Sequence, residues 1–446
     1  MQTQVEVTKV ATQENAKGYG LGFAVGFFFS FRLCIVLLSV NLLGIDPSTG
    51  SAISILLGLF LLGLVCFNTG GAVAPALRSV FQPSPARWAI AFLVFSGLSL
   101  LWSETASLPN SAAYWAGMVI DVASVVLLLG SEGGGEKGHA ILKGYIWSTC
   151  GLAAIAWIMP VASDLRLGDE QFFNSNEIGN LCAFAIFFAQ YLSRADRGDW
   201  RMAKFFLVVT LIRSLSKTTL AAFLISEALL LLLDKSMSRK TKWLIVAFAL
   251  LLLAVFWGLL VAYFDYYTNN GNQAETLTGR IVIWLYVLGS VTDHPWTLIV
   301  GHGFDSWWKV VPPFGGDLFE ARHAENEGLQ QLYAYGLAGI VLLVGVYCGL
   351  FRLLRKLEGS PVRTVFLCFL AFIVVRGLAE SDSFDLLLPF WAIVLISSLA
   401  ALWLKTEQSN ASNSPIDLPE MSSDCNFSKS GGQMPTELVT IREERL

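Results

Sequence analysis

The sequence predicts an all-α fold, a polytopic integral membrane helix bundle with about twelve transmembrane helices and one large outer loop. Hydrophobic residues make up 54% of the chain and charged residues only 14%, against about 25% charged residues in soluble domains. Apolar runs of about 20 residues, the length that crosses a ~30 Å hydrocarbon core, recur along the chain. The composition therefore excludes a soluble globular protein and directs the search for function to the polar segments.

The apolar runs define the elements of the bundle. Their positions predict twelve spans, at residues 20–43, 52–72, 88–104, 112–130, 141–162, 177–193, 203–214, 217–233, 243–265, 329–351, 363–380 and 384–404. The seventh and eighth spans are short and flank the polar residues 213–217, as in a broken pair whose junction faces a cavity. The first run carries Arg32 and lacks a small-residue cleavage site, so we expect no cleavable signal peptide.

Loop charges predict the orientation and the domain limits. Every second loop is rich in Lys and Arg, whereas loops 44–51 and 105–111 contain neither. By the positive-inside rule both termini are cytoplasmic and the loop at about 266–328 lies outside. The predicted domains are an N-terminal cytoplasmic segment at residues 1–19, a transmembrane domain at 20–405 and a tail at 406–446. The tail is rich in Ser, Asn, Asp and Glu, which predicts disorder.

The predicted outer loop and its C-terminal end concentrate ionisable residues, and three of the four histidines of the chain are among them. The ionisable residues are Arg280, Asp293, His294, His302, Asp305, His323, Glu325 and Glu327. Apolar spacing over residues 279–291 predicts an amphipathic helix at the membrane interface, ended by Asp293-His294-Pro295. Arg280 heads this helix. Its forked guanidinium suits a phosphate or diphosphate, and the alternative is an anchor for a lipid headgroup.

Residues just before the tenth span are candidates for proton transfer. His323 or Glu325 could take a proton from a sugar hydroxyl. The alternative is helix capping, which explains Glu327 well and Glu325 in part, but not His323. We expect His294 and His302 to be structural, because they lie at a helix stop and in a turn. The histidines are 8 and 21 residues apart, unlike a helical metal site, so we expect no metal and no cofactor.

Five more side chains on the outer side complete the candidates. Arg213 and Lys217 flank the broken pair, where they face a cavity or snorkel to the interface. Arg376 and Glu380 are four residues apart and are predicted to share a helix face, as an ion pair or as part of a site. Asn176 precedes the sixth span, as a sugar-binding amide or a helix cap.

Ordered short motifs carry a resemblance to a known family. Thr278–Trp284 is similar to a small-Gly/Ser-Arg-x-x-x-Trp motif, and Asp293–Pro295 with Gly301–Phe304 is similar to "D-H-P … G-x-G-F". Asn326–Gln330 with Gly336–Gly339 is similar to "H-N-x-x-L-Q … G-L-x-G". Weaker matches lie at residues 172–176 and 216–218. Together these segments resemble the O-antigen ligase and O-antigen polymerase superfamily of bacterial envelope polysaccharide enzymes.

The resemblance implies a fold and an activity. Members are all-helical bundles whose donor is a glycan on undecaprenyl diphosphate and whose outer loop caps the active site. It implies metal-independent, inverting glycosyl transfer at the outer side of the inner membrane. Arg280 and Lys217, with Arg213, would hold the diphosphate, and Asn176, Asn326, Arg376 and Glu380 would contact substrate. Glu325 occupies the family's His position, with His323 two residues earlier, so either is the candidate base. Lys217 replaces the family's second arginine.

The resemblance leaves the reaction and its partners partly open. It implies O-antigen, lipopolysaccharide or exopolysaccharide biosynthesis, by ligation or by polymerisation, with a glycan or lipid acceptor. The expected partners are membrane lipid and other polysaccharide assembly proteins, and no nucleic acid. Two alternatives stay open. One is a transporter of the bicarbonate type, which the break at 213–217 and Arg32 would fit. The other is a non-catalytic component of an envelope-assembly complex.

Overall fold

The computed structural model describes residues 2–41, 44, 47–69, 80–159, 167–168, 174–234, 238–255, 258, 261, 277–314, 320–357 and 360–413. They include the helices α1 Gln2–Asn41, α2 Pro47–Thr69, α3 Ser84–Ser99, α4 Leu108–Gly130, α5 Gly134–Ile158, α6 Ser175–Arg194, α7 Arg201–Ser214, α8 Lys217–Leu233, α9 Arg239–Val255, α10 Leu277–Thr292, α11 Pro295–Val300, α12 Glu327–Arg355, α13 Pro361–Gly377 and α14 Phe390–Asn413. The described residues contain no β-strand, which confirms the all-α fold class.

Each predicted span overlaps a helix, and six helices within the described residues are long and apolar enough to cross a membrane. Their apolar stretches are Gly18–Val36, Thr49–Thr69, Leu108–Gly130, Gly134–Ile158, Glu327–Arg355 and Phe390–Ser409. The protein is therefore a polytopic membrane helix bundle. The count of twelve crossings stays a prediction, because the other helices fall outside this set.

Local sequence explains where several helices begin. Pro85, Pro109 and Pro361 lie in the first turns of α3, α4 and α13, where a residue without a backbone N–H loses no helical hydrogen bond. Asn174 caps α6, since its side chain accepts a hydrogen bond from the Glu177 backbone N–H at 2.9 Å. The caps and prolines fix where α6 and α13 begin, and these two helices carry the candidate residues Asn176 and Arg376.

The membrane core is built around aromatic side chains. α1 packs along α5, α5 on α6, α6 on α7 and α13, α13 on α8, and α12 on α3. Phe184, Phe187 and Phe188 on α6 contact Phe369 and Phe372 on α13, with the Phe184 and Phe369 rings perpendicular and 4.8 Å apart. This packing places the start of α6 near the end of α13, where Asn176 and Arg376 lie.

The loop that was predicted to lie outside packs with the start of α12 around a second, small apolar core, which the sequence did not predict. Trp307 is 1% exposed, packs on Tyr333 at 4.9 Å and donates from Nε1 to the Ala321 carbonyl at 2.9 Å. Ile283 and Val287 of α10 pack into the same core. The helix predicted at 279–291 is therefore confirmed as α10, and its position at the membrane interface stays a prediction.

A kink divides α12, where one continuous span was predicted. Gly336 has φ 62° and ψ −156°, a conformation that side chains other than glycine rarely adopt. Gly301 also has a positive φ, and a Cβ there would lie 2.4 Å from the backbone of Ala334. The kink and the turn at Gly301 therefore pack backbone to backbone, which sets the direction of the segment Glu327–Tyr335.

Two regions of the predicted organisation are only partly described. Residues 1–405 form one compact unit and residues 406–446 a second. α14 runs to Asn413, so the predicted disordered tail begins as helix, and its remainder lies outside the described residues. The motif residues Phe172 and Phe173 also lie outside them.

Candidate active site

Arg280 lies in the first turn of α10 and reaches the segment before α12. Its Nη2 is 3.2 Å from Glu325 Oε2, and both side chains are largely buried. Trp284, one helical turn later, donates from Nε1 to the Ala324 carbonyl at 3.0 Å. Because residues four apart share a helix face, one face of α10 holds both the carboxylate and the backbone of this segment.

His323 lies between two carboxylates. Its Nδ1 is 3.5 Å from Glu325 Oε1, and its Nε2 is 3.5 Å from Glu380 Oε1. Both distances exceed a normal hydrogen bond, so the ring is oriented but not tightly held. The cluster formed by Arg280, His323, Glu325 and Glu380 is called the transfer cluster below.

The backbone of the transfer cluster is in an unusual conformation. Glu325 has φ 53°, in the left-handed region. Its N–H donates to His323 Nδ1 at 3.3 Å, and the Ala324 N–H donates to Gln330 Oε1 at 2.8 Å. Surrounding contacts thus fix a conformation that costs roughly 1–3 kcal/mol. Such strain is typical of functional sites.

Glu380 joins the transfer cluster from the segment after α13, and one prediction about it is wrong. α13 ends at Gly377, so Arg376 and Glu380 do not share a helix face. Glu380 instead faces His323, and its Oε2 accepts a hydrogen bond from Thr218 Oγ1 at 3.2 Å. A helix pattern running to residue 380 could not reveal this, because the chain leaves the helix three residues earlier.

The junction between α7 and α8 meets the cluster through Thr218. Lys217 is the first residue of α8 and is exposed, and Arg213 is half-buried in the last turn of α7. Ser216 between them donates to Asn176 Oδ1 at 2.7 Å. The structure therefore brings Asn176 and Lys217 to one junction, beside the residue that contacts Glu380.

Glu327 lies in the first turn of α12, where a carboxylate favours the helix dipole as predicted, but it does not cap the helix. The residue that caps α12 is Asn326, whose Oδ1 accepts from the Leu329 N–H at 3.0 Å and whose Nδ2 donates to the Leu378 carbonyl. Glu327 is 3% exposed and accepts from the Tyr347 hydroxyl at 2.7 Å and from the Leu387 N–H at 2.9 Å. Both residues thus tie the segment after α13 to α12.

The remaining loop candidates join the loop to the bundle. His302 is buried between Glu104 Oε2 and Ser290 Oγ, each 3.0 Å from a ring nitrogen. Asp305 accepts from Ser111 at 2.6 Å. Burial raises the pKa of Asp305, while hydrogen bonds from neighbouring hydroxyls lower it. His294 is exposed at the N-cap of α11.

Three side chains of the transfer cluster could hold a metal ion by distance alone, namely His323, Glu325 and Glu380, whose ligand atoms lie within 4.8 Å of one another. Arg280 already offers positive charge to Glu325 and Thr218 offers a hydroxyl to Glu380. The same atoms therefore also form an acid–base cluster with a built-in cation.

Comparisons with known proteins point to one family. Residues 202–344 match the sequence model of the family described as "O-Antigen ligase". A segment of 132 residues is 31% identical to a protein of Pseudomonas aeruginosa named "O-antigen ligase", covering 28% of this chain and 31% of that protein. The chain thus matches about a third of the length of this relative. The predicted resemblance to the O-antigen ligase superfamily is confirmed.

The matched family segment includes most of the candidate residues. It runs from α7 into α12 and contains Arg213, Lys217, Arg280, His323 and Glu325. Glu380 lies beyond it, and only the fold brings that carboxylate to the cluster.

Proposed function

We propose that this protein is a glycosyltransferase that moves or polymerises an oligosaccharide from an undecaprenyl-diphosphate-linked donor. The transfer would occur at the outer face of the bacterial inner membrane, with both termini in the cytoplasm. The observation that carries the proposal is the transfer cluster, in which three separate segments bring a guanidinium, an imidazole and two carboxylates together. The family match over the same segment supports it.

The donor diphosphate would lie between Arg280 and the start of α8. Arg280 Nε is buried and has no hydrogen-bond partner among the described residues, so it can donate to a phosphate oxygen. Lys217 stands at the N-terminus of α8, where backbone N–H groups and the helix dipole also favour an anion. These positive groups would stabilise charge on the leaving diphosphate, the task a metal ion performs in other transferases.

His323 is the better placed of the two candidate bases. Because Nδ1 accepts the Glu325 backbone N–H, the neutral ring carries its proton on Nε2, toward Glu380. If the acceptor hydroxyl displaces the long 3.3 Å bond from the Glu325 N–H, proton transfer to Nδ1 would give an imidazolium that Glu380 stabilises, as a carboxylate orients histidine in hydrolases. Glu325 is less suited, because Arg280 stabilises its charged carboxylate.

The proposed transfer is a single displacement at the anomeric carbon. The acceptor oxygen attacks the anomeric carbon, the bond from that carbon to the diphosphate oxygen breaks, and the hydroxyl proton moves to His323. Undecaprenyl diphosphate leaves with the bonding pair. Direct displacement inverts the anomeric carbon. The donor lipid stays in the bilayer, which explains why a membrane bundle carries the site. Ligation and polymerisation share this step and differ in the acceptor.

The test uses a strain that lacks the gene. Arg280→Ala should reach the membrane at normal level, fail to restore surface polysaccharide and accumulate lipid-linked oligosaccharide. Arg352→Ala, exposed in the last turn of α12, is the matched control and should restore it. The transferase proposal fails if Arg280→Ala restores normal polysaccharide, or if deleting the gene leaves polysaccharide and its lipid-linked precursors unchanged.

A further inference from the structure

Five charged side chains form a second group, here called the inner polar cluster: Arg32, Asp121, Glu177, Arg376 and Asp382. Arg32 on α1 forms an ion pair with Asp121 on α4 and also interacts electrostatically with Asp382. Glu177 in the first turn of α6 interacts electrostatically with Arg376, Asp382 and Arg32. Charges inside a membrane bundle are costly and usually functional, and the transfer cluster does not use them.

Arg376 is the most informative member of the inner polar cluster. It is 5% exposed, and its Nε and Nη1 have no hydrogen-bond partner among the described residues. Two buried guanidinium nitrogens without acceptors are costly. Glu177 and Glu327 lie within electrostatic range of Arg376. A ligand could therefore supply the hydrogen-bond acceptor that Arg376 Nε and Nη1 lack.

The charges of the cluster indicate the chemistry of that ligand. Asp385 also interacts with Arg32, Glu327 with Arg376, and Arg322 with Glu177. Carboxylates therefore still outnumber guanidiniums, so a further anion would be repelled rather than bound. A hydroxyl group both accepts from a guanidinium and donates to a carboxylate. Several such pairs suit a molecule with many hydroxyls and no charge.

The cluster is also next to the transfer cluster. Arg376 precedes Glu380 by four residues, and Glu177 follows Asn176, which lies at the α7–α8 junction. Asp382 is exposed, so the cluster has an edge open to water. A ligand held there would lie near Glu380, the carboxylate that faces His323.

We propose, resting on the function proposed above, that the inner polar cluster binds the acceptor, and that the acceptor is a neutral glycan. Arg280 and Lys217 would hold the charged donor, and Arg376 and Glu177 would hold sugar hydroxyls of the acceptor. The protein would then separate its two substrates by charge.

Two probes separate the two sites on the purified full-length protein. Inorganic pyrophosphate stands in for the donor diphosphate. The oligosaccharide released from the strain's own lipid-linked intermediate by mild acid stands in for the acceptor. Arg376→Gln should weaken oligosaccharide binding by roughly tenfold or more and leave pyrophosphate binding unchanged. Arg280→Ala should weaken pyrophosphate binding and leave oligosaccharide binding unchanged. Glu177→Gln, at a half-buried position, repeats the test if Arg376→Gln does not fold.

The outcomes distinguish the two proposals. If Arg376→Gln and Glu177→Gln weaken pyrophosphate binding, the inner polar cluster is an anion site and the inference is overturned. It is also overturned if folded variants bind both probes as the wild type does. If Arg280→Ala leaves pyrophosphate binding unchanged, the donor assignment fails instead. A higher acceptor KM with unchanged kcat in Glu177→Gln would support the acceptor site.

Discussion

Two histidines of the outer loop show how surroundings separate a structural side chain from a reactive one. His302 is 8% exposed, both its ring nitrogens have partners at 3.0 Å, and its ring stacks on Tyr333 at 4.4 Å. Its backbone N–H donates to the Tyr333 carbonyl at 3.0 Å. Every polar group of the residue is used, so His302 joins Glu104 and Ser290 and has no free nitrogen for chemistry.

His323 has the opposite environment. Its side chain is 20% exposed, its two carboxylate contacts are both 3.5 Å long, and its Nδ1 accepts a long 3.3 Å bond from the Glu325 N–H. The residue two positions later has strained backbone and is paired with Arg280. Loose contacts, partial exposure and a nearby cation leave room for a substrate hydroxyl. Complete hydrogen bonding therefore predicts a structural role, whereas weak or incomplete bonding beside opposite charges predicts a reactive one.

The largest expected effect is on His323. His323→Ala should lower the transfer rate by roughly 10²–10⁴, the usual contribution of a general base, without lowering the amount of protein in the membrane. His294→Ala, which removes an exposed histidine of the same loop, is the control and should keep normal transfer. The measurement is the rate with the purified lipid-linked donor. If His323→Ala transfers normally and Glu325→Gln does not, Glu325 is the base.

The next effect concerns the carboxylate behind His323. Glu380→Gln should lower kcat by roughly tenfold or more, because a neutral amide stabilises the imidazolium less than a carboxylate does. Glu380→Asp should recover part of the loss. Glu320→Gln, at an exposed position, is the control. Acceptor KM should stay near the wild-type value in all three variants. An altered KM with unchanged kcat would instead assign Glu380 to binding.

His302 should respond in stability rather than in chemistry. His302→Ala removes two hydrogen bonds and leaves the Glu104 carboxylate without its imidazole partner. We expect a loss of about 1–3 kcal/mol in the free energy of unfolding, seen as a lower melting temperature. The surviving folded protein should transfer at a normal rate per molecule. A rate loss as large as that of His323→Ala would remove the distinction between the two histidines.

Much of the bundle could be predicted because hydrocarbon imposes a simple pattern. Apolar runs located a helix at every predicted span, and the α10 prediction at residues 279–291 matched Leu277–Thr292. The kink at Gly336 was not predicted, because its cause is the backbone of Gly301 and Ile299 packed against it. Nothing in a periodic apolar sequence records that contact.

The site was predictable in its residue types and not in its pairings. Arg280, His323 and Glu325 stood out as charges in a polar loop close to one another in sequence. Glu380 was predicted to pair along a helix with Arg376, yet it faces His323 from a segment that leaves the helix at Gly377. Such pairings depend on the direction of the chain after a helix ends. Sequence spacing does not give that direction.

The smallest expected effect is the pH dependence of stability contributed by Asp305, which, like His302, joins the loop to the bundle. Burial raises its pKa more than hydrogen bonds from Ser111 and Thr105 lower it, so the folded state binds this proton more tightly than the unfolded state does. The stability from this group is therefore present below its ordinary pKa and is lost as pH rises through the raised value.

Asp305→Asn replaces the titratable carboxyl group with an amide, so the variant should not lose this stability as the pH rises. The melting temperature of the variant relative to wild type should therefore rise across a pH series that starts at about 4, the ordinary value for Asp. Asp293→Asn, on the exposed surface of the same loop, controls for the general effect of removing a carboxylate. A constant difference across this range would mean that the hydroxyl hydrogen bonds fully offset burial at Asp305. The hydroxyl groups of Ser111 and Thr105 would then hold Asp305 equally well in its charged and neutral forms.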